Sequence, residues 1–194
     1  MVGICGIAFT NSNQQLLFLQ LTPLNLIVTI GFTLLFHPSW SKKFILSGLM
    51  VLLFGFFVEV IGVKTGWIFG NYWYGTTLGL QLIEVPVLIG VNWFLLVYII
   101  SAVFNKTKNI FLFAGIAAAV MTLLDVFIEP VAIKLDFWQW QNNVIPFQNY
   151  VAWYLISFLL FLFFRRVNGA IQNRIAIIVL AIQFLFFAIL NLLL

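Results

Sequence analysis

Long apolar runs separated by short polar connections dominate the chain, and their lengths predict six membrane-crossing helices. The runs cover about residues 16–36, 44–63, 83–104, 110–130, 149–164 and 175–194. Each approaches the roughly 20 residues that an α-helix needs to cross about 30 Å of hydrocarbon. Spans and connections use up all 194 residues. The expected architecture is therefore an all-α integral membrane protein: one transmembrane domain, 1–194, built as a bundle of about six helices. No internal repeat, low-complexity tract or charge run interrupts it.

The connections are of two kinds. "HPSWSKK" and "FNKTKN" are short and chemically plain. By contrast, "KTGWIFGNYWYGTTLGLQLIEVP" and "KLDFWQWQNNVIPFQNYVAW" are rich in glycine, tryptophan and tyrosine, as expected of interfacial or re-entrant segments. These two lie at the same end of the predicted bundle.

Composition removes the soluble alternatives: 64% of residues are hydrophobic and 7% charged, with a mean hydropathy of +1.15. The basic residues then orient the bundle. Lys42, Lys43, Lys106, Lys108, Arg165, Arg166 and Arg174 fall in connections of one side, and only Lys64 and Lys134 on the other. The positive-inside rule makes the first side cytoplasmic, with both termini outside. The net charge of +4 thus reports topology and gives no support for nucleic-acid binding. The first fifteen residues carry no basic segment, so no cleaved signal peptide is expected. One cysteine, Cys5, and one histidine, His37 in a connection, supply no metal or redox ligand set. No cofactor is expected.

All five acidic residues gather on the side poor in lysine and arginine: Glu59 near the outer end of the second span, Glu84 at the start of the third, Asp125 and Glu129 late in the fourth, Asp136 beyond it. A charge at membrane depth costs about 2.5–3.5 kcal/mol even on insertion scales, so it is ordinarily neutralised, paired or functional. Two lysines cannot pair five acids; some carboxyls must stay solvated or hold a proton. Asp125 and Glu129 share a helix face, about 40° apart around the axis and about 6 Å along it, and Thr122 lies on the same face. Pro130 is expected to end the helix, leaving Glu129 at the wet rim and Asp125 a turn deeper. Glu84 ahead of Pro86 suits a helix N-terminus as well as a site, and Asn92 either extends the polar pocket inward or bonds a neighbouring helix.

The ordered motifs Glu59, Gly62, Thr65-Gly66, Phe69-Gly70-x-Tyr72-x-Tyr74, Leu78-Gly79, Val85-Pro86, Asp125, Glu129-Pro130, Trp138, Trp140, Pro146 and Asn149 resemble the membrane-embedded carotenoid biosynthesis family. Its best-known members are carotenoid hydratases of the bisanhydrobacterioruberin and gamma-carotene type. The motifs cover roughly residues 55–155, and the other spans match by hydropathy alone. Glu129-Pro130 stands where the family pattern has Asp-Pro, which keeps the acid and lengthens its reach by one methylene.

The resemblance implies addition of water to the terminal trisubstituted double bond of an acyclic carotenoid end group, giving a tertiary alcohol. The partners would be that carotenoid, water and membrane lipid. Such hydration needs a protonated carboxyl as donor, aromatic faces that tolerate a tertiary cation, and a second carboxylate that aims the water. Asp125 is the expected acid, Glu59 or Glu84 the group orienting water, and Glu129 a stabiliser or relay. Trp67, Phe69, Tyr72, Tyr74, Asn92, Trp93, Trp138, Trp140, Asn149 and Trp153 are the expected lining of the end-group site. Rival readings are a carotenoid cyclase beginning with the same protonation, a proton-coupled carrier, and a carotenoid- or lipid-binding scaffold without chemistry.

Overall fold

A computed structural model describes residues 18–194; Cys5 and the first two residues of the first expected span lie outside them. The described residues form six α-helices: α1 (Thr22–Leu35), α2 (Lys42–Thr65), α3 (Leu88–Val103), α4 (Ile110–Lys134), α5 (Phe147–Asn168) and α6 (Ala176–Leu193). Four of them, α2, α4, α5 and α6, are long and apolar enough to cross a membrane. With 14 and 16 residues, α1 and α3 are about 21 and 24 Å long. The all-α membrane class holds.

Local chemistry sets the helix ends. Ser41 Oγ accepts the Phe44 N–H at 3.1 Å and opens α2, and Asn109 Oδ1 accepts the N–H groups of Phe111 and Leu112 at 2.9 and 3.0 Å and opens α4. At the other end of α2, Gly66 takes the left-handed conformation (φ 68°) and returns its N–H to Gly62 O at 2.8 Å.

α3 sits at the centre. Trp93 through Ala102 are all buried, so this helix is enclosed on every side by protein. α4 carries Ala114, Ala117, Ala118 and Met121 along one fully buried face, and it packs closely on α5, where the Phe161 ring lies edge-on to Phe113 at 6.0 Å. The outer surface remains apolar: Ile45, Leu46, Leu49, Met50 and Leu53 of α2 and Ile177, Ile178, Ile182 and Leu185 of α6 are exposed, as suits lipid contact.

Two local expectations are corrected. The third span was expected to begin at residue 83, but β2 (Gln81–Leu82) and β3 (Val85–Pro86) form a hairpin there, and the helix starts at Leu88. Its two-residue turn, Ile83-Glu84, has positive φ at both positions (54° and 67°), the geometry that a tight hairpin demands. Glu84 is therefore a turn residue. The second correction concerns Pro130, which lies inside α4 and does not end it. A proline removes one N–H, yet the following turn is held by Leu135 N–H to Val131 O at 2.9 Å and by full burial of Val131 and Ala132. Glu129 is consequently 1% exposed and does not stand at a wet rim.

The two aromatic-rich connections meet. β1 (Tyr72–Tyr74) pairs antiparallel with β4 (Trp138–Trp140), with Tyr72 opposite Trp140, Trp73 opposite Gln139 and Tyr74 opposite Trp138. This two-stranded ribbon closes the end of the bundle at which the acids lie.

Candidate active site

Three carboxyls from two helices converge beneath the ribbon: Glu59 from α2, and Asp125 and Glu129 from α4, at 3%, 2% and 1% exposure. Strand alternation explains how they are reached. Side chains two apart point to one face, so Tyr72 and Tyr74 of β1 and Trp138 and Trp140 of β4 all face the carboxyls. The tyrosines serve Glu59 and the tryptophans serve Glu129.

Glu59 Oε2 accepts the hydroxyls of Tyr72 and Tyr74 at 2.6 and 2.9 Å, and its Oε1 accepts Trp93 Nε1–H at 3.1 Å. Glu129 Oε2 accepts the indole N–H groups of Trp138 and Trp140 at 3.0 and 2.8 Å. Asn149, in the first turn of α5, donates its amide to both Glu129 Oε1 and Asp125 Oδ2, each at 3.1 Å. Asp125 receives no other protein hydrogen bond among the described residues. The donor count thus separates the three: three each for Glu59 and Glu129, one for Asp125. Burial, together with the Glu59 carboxylate, pushes the Tyr72 and Tyr74 hydroxyls well above the ordinary tyrosine pKa, so both remain donors.

Aromatic packing locks the donors to one another. The Tyr72 and Trp140 rings lie 5.0 Å apart and those of Tyr74 and Trp138 6.1 Å. Trp93 stacks on Trp153 at 4.4 Å with the planes 12° apart, so α5 braces the Glu59 donor as well as carrying Asn149. Phe69 is buried with its ring edge-on to Tyr72, 6.0 Å away.

Other expected residues lie elsewhere. Glu84 is exposed and pairs with Lys64 at 2.5 Å, apart from the cluster. Trp67 is 83% exposed. Asn92 is half-buried and makes none of the carboxyl contacts. The buried hydroxyl of Thr122, one turn below Asp125, has no protein partner among the described residues. Conversely, the cradle of the site includes Gly55, which the motifs do not contain, beside the motif residue Gly62. A Cβ on Gly55 would fall 2.5 Å from Trp93 Cβ and Cγ, and one on Gly62 would fall 2.6 Å from the Phe69 ring and 2.9 Å from the Tyr72 hydroxyl. With Gly48, which faces Phe94, these glycines recur every seven residues, two helical turns, and that period was the available signal.

No solved structure matches the chain significantly. Bisanhydrobacterioruberin hydratase from Haloarcula japonica is 31% identical over 142 residues, which cover 64% of this chain and 46% of the relative. The chain thus spans about half the length of that curated protein. The profile of the carotenoid biosynthesis protein family matches residues 21–194, from α1 through α6, including all three buried carboxyls and their donors. The chain belongs to the carotenoid biosynthesis protein family.

Proposed function

We propose that the protein is a carotenoid hydratase that adds water across the terminal trisubstituted double bond of an acyclic carotenoid. The unequal donor count at three buried carboxyls carries this reading. Glu59 and Glu129 have their charged forms satisfied by O–H and N–H donors, whereas Asp125 has one amide. Asp125 is the carboxyl that holds a proton. The name of the relative, a hydratase, supports the same reaction class.

Asp125 gives its proton to the less substituted alkene carbon, and the π pair forms the new C–H bond. The resulting tertiary cation lies among the Tyr72, Tyr74, Trp138 and Trp140 rings, each worth roughly 0.5–2 kcal/mol when desolvated. Glu129 and Glu59 supply the compensating negative charge. Water oxygen then forms the C–O bond. Its surplus proton passes to a carboxylate and returns to Asp125, so the net change is one water added and no cofactor consumed. Each glutamate retains lone-pair capacity on Oε1 for that water, since Oε1 accepts a single protein hydrogen bond. Glu59 takes the water-orienting role, and Glu84 is too far out on the surface to share it.

Expression in cells that accumulate lycopene or another acyclic carotenoid tests this directly. Pigments should gain the mass of one water per reacted end. A product of unchanged mass and altered absorbance would identify cyclisation instead, and unaltered pigments would remove the enzymatic reading. Asp125→Asn should abolish product while leaving inserted, folded protein; turnover near that of the unaltered chain would overturn the acid assignment.

A further inference from the structure

At the end of the bundle opposite the carboxyls, a cleft of about 680 Å³ opens between the α3–α4 and α5–α6 connections. Phe36, Pro38, Asn105, Lys106, Gln172 and Arg174 line it, together with Asn173. Lys106 and Arg174 face no acid: all five acidic residues are at the other end, and the single ion pair among the described residues is Lys64–Glu84. Lys106 and Arg174 are both exposed at the cleft, so an anion that enters it meets two cations without a competing carboxylate.

Both cation-bearing walls are braced. Arg165 Nη2 donates to the carbonyls of Asn105 and Thr107, at 2.8 and 3.0 Å, which flank Lys106. Asn173, beside Arg174, donates to Thr33 O and the Tyr98 hydroxyl, both at 2.9 Å, and its Oδ1 accepts the Ile175 N–H at 3.0 Å. The Tyr98 hydroxyl lies 3.0 Å from His37 Nδ1, tying the wall to the α1–α2 connection. Exposed Phe36 at the rim offers an apolar surface next to the charged interior.

From these two cations, unpaired among the described residues and carried on braced walls, we infer that the cleft binds a phosphate group, carried by an anionic phospholipid whose chain passes over Phe36. The site is independent of the carboxyl cluster and of the hydratase reading.

The 194-residue chain in micelles doped with phosphatidylglycerol or phosphatidylcholine, read by native mass spectrometry, tests it. The unaltered chain should retain phosphatidylglycerol selectively, and a K106A/R174A double variant should retain about tenfold less or lower still. Lys42 and Lys43 are exposed on the same end but do not line the cleft, so K42A/K43A should retain the lipid normally. Calorimetric titration with inorganic phosphate in lipid-free micelles forms the second arm. Heat that K106A/R174A abolishes, without selective lipid retention, would assign the site to soluble phosphate. Equal lipid retention by the unaltered chain and K106A/R174A with no phosphate heat, or equal losses in both double variants, would overturn the site.

Discussion

Trp140 and Tyr72 face each other across the ribbon yet serve different carboxyls, which makes their donors separable by substitution. Trp140→Phe keeps a ring and removes one N–H from Glu129; Tyr72→Phe removes one O–H from Glu59. A buried hydrogen bond to a charged group is worth about 1.5–3 kcal/mol. If that bond strengthens in the transition state, its loss lowers turnover by about tenfold to 150-fold. Asn149→Leu should be more damaging than either, because one amide serves both Asp125 and Glu129. Glu84→Gln should leave turnover within about twofold, since an exposed pair with Lys64 is worth at most about 1 kcal/mol. Pigment formation per inserted protein checks all four, and a Glu84→Gln defect as deep as that of Asn149→Leu would restore Glu84 to the site. The acids were legible because a carboxyl in an apolar helix has few innocent explanations. Their partners were legible only as a class: nothing local distinguishes Trp138, which holds Glu129, from exposed Trp67.

At the level of elements, the helices were readable from apolar run length and the ribbon was not. Three-residue strands such as Tyr72–Tyr74 and Trp138–Trp140 carry too short an alternation to stand out, and their pairing spans more than sixty residues of chain. The hairpin at residues 81–86 was hidden for another reason: its Leu, Ile and Val continue the hydropathy of α3 without a break. Pro130 reads as a terminator in the sequence, whereas burial of the next turn carries α4 onward. The ribbon's dependence on one close approach gives a test. A Cβ on Gly75 would overlap the Asp136 carbonyl oxygen, a contact that backbone cannot easily relieve. Gly75→Ala should therefore separate β1 from β4, lower activity by the loss of donors to both glutamates, and leave helix content unchanged by circular dichroism. Unchanged activity would show that the ribbon is not what holds the four aromatic donors in place.

Across the whole molecule the two ends are chemically opposite: five acids and the aromatic ribbon at one, seven of the nine lysines and arginines at the other. Basic residues resist translocation while acids contribute little to orientation, so the acid-rich end is expected outside the cytoplasmic membrane. That orientation matters for the chemistry, because it would present the carboxyls to the outer leaflet. With Cys5 replaced by serine, single cysteines can report on each end. Glu84→Cys lies on the exposed hairpin turn at the acid end, and Ser39→Cys on the exposed connection ahead of α2 at the basic end. A membrane-impermeant maleimide should label Glu84→Cys in intact cells and Ser39→Cys only after permeabilisation. The reverse pattern would put the carboxyls on the cytoplasmic side, leaving the site geometry intact but making the inner leaflet the source of the substrate proposed above.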